Sequence, residues 1–365
     1  MGPDDARSVA GTQPRGDLVS RALRGAGTAP RVSVLMPVHN GARYLRDAVD
    51  SLLAQTFTDF ELLVVDDASS DEAPAILASY SDPRLCVLTN DLNLGLTKSL
   101  NIALRESRGE LIARQDADDR SHPQRLQKQV EFLDAHPELV LVGTGARLID
   151  ASGAVLRARK LHRAQTPLGV QWQLLFGNPF THSSVMFRRA IILGRLGGYD
   201  EAYYYNQDFE LWSRVAADYG SCNLAEELVD YRVHSESIAG RRDAEVLESR
   251  LENVKKNIAV QQRNVRRILG DSDLAARWPP LWTALSVAWL LKRPPNARDA
   301  LRLAAELHQQ FTERYPQAKQ DRDVALIYAD TLWAIGRYLT RSSPLVAAKV
   351  LLRSAWLRFR AQRFA

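Results

Sequence analysis

The sequence predicts an α/β fold, a mostly parallel sheet with helices on both faces, followed by an all-α C-terminal region. Three observations carry this. Between residues 32 and 115, short wholly apolar runs alternate with amphipathic helical stretches, the pattern of strands buried on both faces and the helices that cover them. The runs end in polar clusters, and open sheets of this kind bind ligands outside the carboxyl ends of their strands. From about residue 241 only helical patterns remain.

Residues 32–38 read as the first strand, and residues 43–55 place Tyr44, Leu45, Ala48, Val49, Leu52 and Leu53 on one helical face. A second strand over 60–65 closes on Asp66, Asp67, Ala68, Ser69, Ser70 and Asp71, before a short helix over 72–80. Asp71 suits a helix N-cap and Asp66 an Asx-turn. Residues 85–88 form a third strand; the 90–95 turn leads into a helix over 96–107, with Gly109 as its natural C-terminal residue. The fourth strand spans 111–115. No G-x-G-x-x-G follows the first strand, which disfavours a dinucleotide-binding sheet.

Further on, His122 and Pro123 open a helix to about 133, and a strand over 139–148 turns at 150–153 into another that reaches about Leu161. A helix over 165–176, a strand over 183–187, a helix over 207–219 and a strand over 226–233 complete a sheet that has become mixed. The helical region beyond is expected to break at Pro279-Pro280 and Pro294-Pro295.

At 365 residues the chain is long enough for two domains. Residues 1–30 lack periodicity and an apolar signal core and read as a disordered tail, residues 31–240 as the main domain, and 241–365 as a basic helical region. No apolar run approaches the roughly 18 residues of a membrane span, so a cytoplasmic protein is expected, either soluble or peripheral on the inner face of the plasma membrane. Cys86 and Cys222, both amid apolar residues, read as inert thiols in a reducing compartment.

Charge is uneven. Residues 1–240 hold 25 Lys and Arg against 31 Asp and Glu, whereas residues 241–365 hold 23 against 12, a net of +11. Trp278, Trp282, Trp289, Trp333 and Trp356 are interleaved with these cations. They either pack the helices together or meet an anionic membrane; no nucleic-acid motif accompanies the charge.

The stretch Arg114, Gln115, Asp116, Ala117, Asp118, Asp119 crowds three carboxylates into four residues at a strand end. Such groups repel one another unless a divalent cation or a ring of donors neutralises them, and hard oxygens suit Mg²⁺ or Mn²⁺. The plainer reading is an acidic solvated loop.

Taken with Val34-Leu35-Met36-Pro37-Val38-His39-Asn40, Leu63-Val64-Val65-Asp66-Asp67 and Asn93-Leu94-Gly95, in that order and spacing, this stretch resembles the family 2 inverting glycosyltransferases of GT-A type. Asn178-Pro179-Phe180-Thr181-His182-Ser183, Tyr205-Asn206-Gln207-Asp208 and Tyr231-Arg232-Val233-His234 extend the likeness.

The resemblance implies a GT-A nucleotide-diphospho-sugar transferase fold. It also implies inverting transfer from a nucleoside-diphosphate sugar, UDP foremost, to a glycan or polyprenyl-linked acceptor, with Mn²⁺ or Mg²⁺ on the diphosphate. It assigns Asp66 and Asp116 to the nucleoside and Asp118 to the metal, with Asp67 and Asp119 as rivals. Pro37, His39, Asn40, Asn93, Gly95 and Arg114 join the donor side, and His234 joins the metal, or the diphosphate together with Arg232. His182, Ser183 and Gln207 fall on the acceptor side. Asp208 becomes the general base, although the family more often has an acidic residue where Gln207 stands, and Glu210 is the fallback. A sugar-nucleotide nucleotidyltransferase and a non-catalytic sugar-nucleotide scaffold are the competing readings; the first would carry a basic Gly-rich loop after the first strand.

Overall fold

The computed structural model describes residues 28–156, 163–235, 244–286 and 296–363. The expected tail up to residue 27, the strand end near Leu161, Trp289 and the Pro294-Pro295 break lie outside the described residues.

Eight strands form one sheet: β1 (Val32–Val38), β2 (Phe60–Asp66), β3 (Leu85–Thr89), β4 (Leu111–Arg114), β5 (Arg120–Ser121), β6 (Leu139–Ile149), β7 (Met186–Arg188) and β8 (Gly220–Arg232). Their order is β3-β2-β1-β4-β7-β6-β8-β5. The first four strands pair in parallel, and β7 joins β4 and β6 antiparallel, so the sheet is mixed as expected. Strand β8 starts six residues earlier than its apolar pattern suggested, because it runs parallel to β6 across register shifts at residues 139–146. Its polar first half is paired through the backbone, which residue type does not reveal. The strand expected over 183–187 is shortened to β7 by a 3₁₀ turn at His182–Ser184.

Helices α1 (Ala42–Leu53), α2 (Ala73–Ala78), α3 (Leu96–Glu106) and α4 (Arg125–Ala135) connect the first half. Helices α5 (Pro167–Gln173), α6 (Arg189–Ile192) and α7 (Gln207–Asp218) follow. Strand alternation divides the core. Val32, Val34, Met36 and Val38 of β1 pack with Leu45 and Leu52 of α1 and Leu126 and Leu133 of α4; Leu35, Leu63 and Val65 pack on the other face with Leu100 and Leu104 of α3. Gly109 does not cap α3 in the left-handed region. It lets the chain pass β1, where a Cβ would lie 2.5 Å from the Ser33 nitrogen.

The C-terminal helices are α8 (Ala244–Leu269), α9 (Ser272–Ser286), α10 (Ala297–Arg314), α11 (Arg322–Ser342) and α12 (Pro344–Ala361). The expected break at Pro279-Pro280 is corrected: both prolines lie inside α9. The backbone donors they lack are offset by packing on either side, where Trp278 and Trp282 stack with centroids 5.4 Å apart and donate Nε1–H to the carbonyls of Leu175 and Phe176.

These helices share a core with the sheet's second face. Trp172 of α5 is fully buried, with ring centroids 4.9 Å from Phe176 and 4.8 Å from Phe311, and the Asp323 carboxylate caps α5 by accepting from the Gln165 and Thr166 amides. His308 stacks on Tyr328 with centroids 4.1 Å apart in the same cluster. Burial, with the Arg353 charge adding, pulls its imidazole from 6.5 down to about 4.

The folded protein therefore refuses a proton that the unfolded chain accepts below about pH 6.5. Stability from this site is complete above that pH and falls as pH drops towards 4, by at most about 3 kcal/mol. His308→Gln should flatten the acid limb of a denaturation-midpoint-against-pH profile; an unchanged limb would locate the acid sensitivity elsewhere.

Candidate active site

The carboxyl ends of β1, β2, β3 and β4 lie side by side, and each leads into a polar loop. Pro37 costs β1 no ladder bond on its β4 side: the last bond there runs from the Gln115 amide to the Leu35 carbonyl, and β4 ends at Arg114. His39 Nδ1 lies 2.8 Å from the Asp67 carbonyl, which can only accept, so Nδ1 carries the proton and Nε2 accepts from Asn40 Nδ2 at 3.2 Å. Asn40 takes φ 51° and accepts at Oδ1 from the Ser70 amide, locking the first loop to the second.

Asp66 is 3% exposed and accepts from the Ser69 amide, the turn expected of it; Asp71 holds the Ala42 and Ala73 amides, but the N-cap position of α2 is Glu72, one residue later than expected. Asp67 is occupied differently from a ligand contact. Its oxygens accept from Asn90 Nδ2 and from the Leu94 and Gly95 amides at 2.7–2.9 Å, so it fastens the Asn93–Gly95 turn to β2. Gly95, at φ 88° and ψ 161°, occupies backbone space open essentially to glycine alone. All three non-glycine residues with positive φ among those described, Asn40, Ala68 and Asn206, sit in these loops or at the start of α7.

Beyond β4, Asp116, Asp118 and Asp119 bring one oxygen each within 4.8 Å of one another. Burial alone would raise the Asp116 carboxyl, but the adjoining Arg114 guanidinium more than offsets it and holds Asp116 below the usual range. Asp118 is pushed up by burial and then by the Asp116 charge, against the pull of His234, whose Nε2 lies 2.9 Å from Asp118 Oδ2. Asp119 is pushed well up by burial and by both neighbouring carboxylates. Its Oδ1 accepts from the Arg232 amide at 2.8 Å, while its Oδ2 is buried with no hydrogen-bond partner. An orphaned buried oxygen among three repelling carboxylates fits a divalent cation, which would draw its ligands from Asp116, Asp118, Asp119 and the neighbouring His234.

Two expectations on this loop are corrected. Arg114 does not face a phosphate: its side chain is 0% exposed and lies beneath the loop, paired with Asp116 and donating to Ser183 Oγ. Arg232 is also turned away, 1% exposed, with Nε donating to the Asp118 carbonyl at 2.8 Å and its guanidinium over the Tyr44 ring. Both act as struts. Ser183, expected on the acceptor side, is fully buried; it donates to Asp116 Oδ2 at 2.9 Å and accepts from the Asp116 amide.

Arg125 was not anticipated. It is fully buried, donating to the Arg114 and Val185 carbonyls, Ser121 Oγ and Gln129 Oε1, and so ties the end of β4 to the approach to β7. Burial, then the Arg114 charge, pulls it down to about 9. The signal was its position: Arg125 and Gln129 flank Leu126, Val130 and Leu133 on the inward face of α4.

Asp208 is the second residue of α7, after the left-handed Asn206 at its N-cap. Its Oδ2 accepts from Asn178 Nδ2 at 2.6 Å and its Oδ1 from the Phe209 amide. Burial raises its carboxyl, and the charges of Arg114 and Asp116 reach it, which puts it in the same electrostatic field as the acidic loop. His182 lies 3.0 Å from the Tyr199 hydroxyl and is held neutral by burial and by Arg114. Gln207 is 4% exposed. Glu210 is excluded as a base by its partners, Arg214 and Arg263, at 2.8–3.0 Å.

Residues 33–193 match the family model described as glycosyl transferase family 2. EpsE of Bacillus subtilis, which carries a glycosyltransferase name, is 38% identical over 222 residues, 59% of this chain and 77% of EpsE. The chain belongs to glycosyl transferase family 2. It is accordingly a glycosyltransferase, and the matched span contains the four stretches at the strand ends. The O-antigen biosynthesis glycosyltransferase WbnJ of Escherichia coli is similar at 33% identity over 214 residues, covering 56% of this chain and 81% of WbnJ. In three dimensions, residues 1–349 of S. aureus TarS, solved in complex with UDP-GlcNAc, superpose with a TM-score of 0.53 at 16% identity over 91% of this chain and 92% of that one. The fold of this family 2 enzyme is thus the GT-A type with a helical C-terminal region.

Proposed function

We propose that this glycosyltransferase moves a sugar from a nucleoside diphosphate, UDP foremost, to a hydroxyl of a growing polysaccharide or lipid-linked glycan, with inversion at the anomeric carbon. The observation that carries the reading is the acidic loop, with its orphaned Asp119 oxygen, in the same field as the raised Asp208 carboxyl. Polysaccharide assembly is supported by the name of WbnJ, and UDP by the ligand in TarS.

Asp66 and the Asn40–Ser70 clasp receive the nucleoside and ribose, with Asp116 held in place by Arg114 and Ser183. Asp118 and His234, with Asp119 beside them, would hold a Mn²⁺ or Mg²⁺ ion, which would supply Lewis-acid stabilisation of the leaving diphosphate. On the opposite face Asp208 accepts the acceptor hydroxyl proton as the new C–O bond forms and the old C–O bond releases its electron pair to the diphosphate. A raised carboxyl is a stronger base, and Asn178 fixes its direction. His182 and Gln207 border the acceptor. Synthesis at the inner face of the plasma membrane is part of this reading. Among the described residues no helix is long and apolar enough to cross a membrane.

Incubation with a panel of UDP-, GDP- and dTDP-sugars tests this. The expected result is Mn²⁺-dependent release of nucleoside diphosphate from one UDP-sugar, abolished by chelator. Sugar 1-phosphate with nucleoside triphosphate as the partner substrate would identify a nucleotidyltransferase instead, and donor binding with no turnover under any acceptor would identify a scaffold.

A further inference from the structure

Helix α12 carries two apolar faces. Ala347, Val350, Ser354 and Ala361 are buried against α11, where Ser354 Oγ donates to the Ala329 carbonyl at 2.7 Å. Leu345, Leu352, Trp356 and Phe359 face outward at 81, 70, 54 and 56% exposure. At about 3.6 residues per turn these four fall in one stripe roughly opposite the buried face. Of the eleven large apolar side chains exposed among the described residues, five lie on this helix, Val346 being the fifth. A concentration of this kind marks a surface that is covered in use.

Its charge indicates by what. Residues 344–363 contain Lys349, Arg353, Arg358, Arg360 and Arg363 and no Asp or Glu. On the same wheel Lys349 and Arg360 run along one edge of the stripe and Arg363 stands at its end, whereas the Arg353 guanidinium leans over the buried Tyr328 ring, 5.9 Å from its centroid. The Arg360 and Arg363 guanidiniums lie 5.4 and 4.8 Å from the ring centroids of Trp356 and Phe359. Arg358 points elsewhere, paired with Asp330 of α11. A second copy of the chain would bring two such cationic edges together. An anionic bilayer satisfies both features, since the apolar stripe enters the acyl boundary while the long basic side chains reach the phosphate level.

We propose that α12 docks this enzyme on an anionic lipid surface, with Leu352, Trp356 and Phe359 inserted and Lys349, Arg360 and Arg363 at the head groups. The inference stands apart from the donor and acceptor proposed above. Trp278 and Trp282 take no part, because both are turned into the protein.

Sedimentation of the full chain with phosphatidylglycerol-containing vesicles, and with pure phosphatidylcholine vesicles, tests it. Wild type should bind the anionic vesicles, less so at high salt. Trp356→Glu and the triple variant K349E/R360E/R363E should each reduce binding by about tenfold or more, with thermal midpoints showing that the variants remain folded. Three results would overturn the proposal: no binding by wild type, equal binding by Trp356→Glu, or a dimer that Trp356→Glu dissociates without any vesicle binding. The last would assign the stripe to a second copy.

Discussion

Asp118→Ala is expected to lower Mn²⁺-dependent sugar transfer by about a thousandfold, close to 4 kcal/mol of transition-state stabilisation, with the thermal midpoint unchanged or higher. The two halves of this expectation have one cause. Asp118 is pushed up by burial and by the Asp116 charge, so in the absence of a cation its carboxylate is a strained neighbour whose removal relieves repulsion. With the cation bound it is a ligand, and its loss weakens the charge that stabilises the leaving diphosphate. A variant that turned over within threefold of wild type would separate Asp118 from the metal altogether.

Asp208→Asn should act on the other side of the reaction. The amide is nearly isosteric and keeps one of the two contacts, its single oxygen accepting from the Phe209 amide or from Asn178 Nδ2, so donor binding measured by calorimetry should stay within about twofold. Turnover should fall by about a thousandfold or more, because proton removal by a placed base contributes on the order of 10² to 10⁴. Loss of donor affinity together with rate would instead make Asp208 part of the donor site. Unchanged turnover would move the base elsewhere, though not to Glu210, which Arg214 and Arg263 already hold.

The sheet was legible from its first half because β1, β2 and β4 are buried on both faces, and a strand in that position is mostly apolar, its few polar side chains such as Ser33, Glu61 and Arg114 having internal partners. Strand β8 was read short because its first residues, Gly220, Ser221, Cys222 and Asn223, satisfy themselves through backbone pairing with β6. The Pro279-Pro280 error had a different origin: a local backbone rule was overridden by two tryptophans packing on residues about a hundred positions away.

In the site, sequence located the carboxylates but not what holds them. Arg114 beside an acidic cluster looks like a phosphate contact, yet its place in β4 on the side of Ile112 sends it beneath the sheet end. Ser183 meets Asp116 only because β7 pairs with β4 across nearly seventy intervening residues. Trp278 and Trp356 are both tryptophans beside basic residues. One is fully buried and the other 54% exposed, a difference that helix packing alone decides.

The measurement that bears most directly on the account is UDP binding by the wild-type protein, followed calorimetrically with Mn²⁺ present and again after chelation. The cluster of Asp116, Asp118 and Asp119 predicts that UDP affinity falls at least about thirtyfold when the cation is removed, because three carboxylates then face the diphosphate without a counter-charge. Equal affinity under both conditions would contradict the central claim that this acidic loop is the seat of a metal that carries the donor.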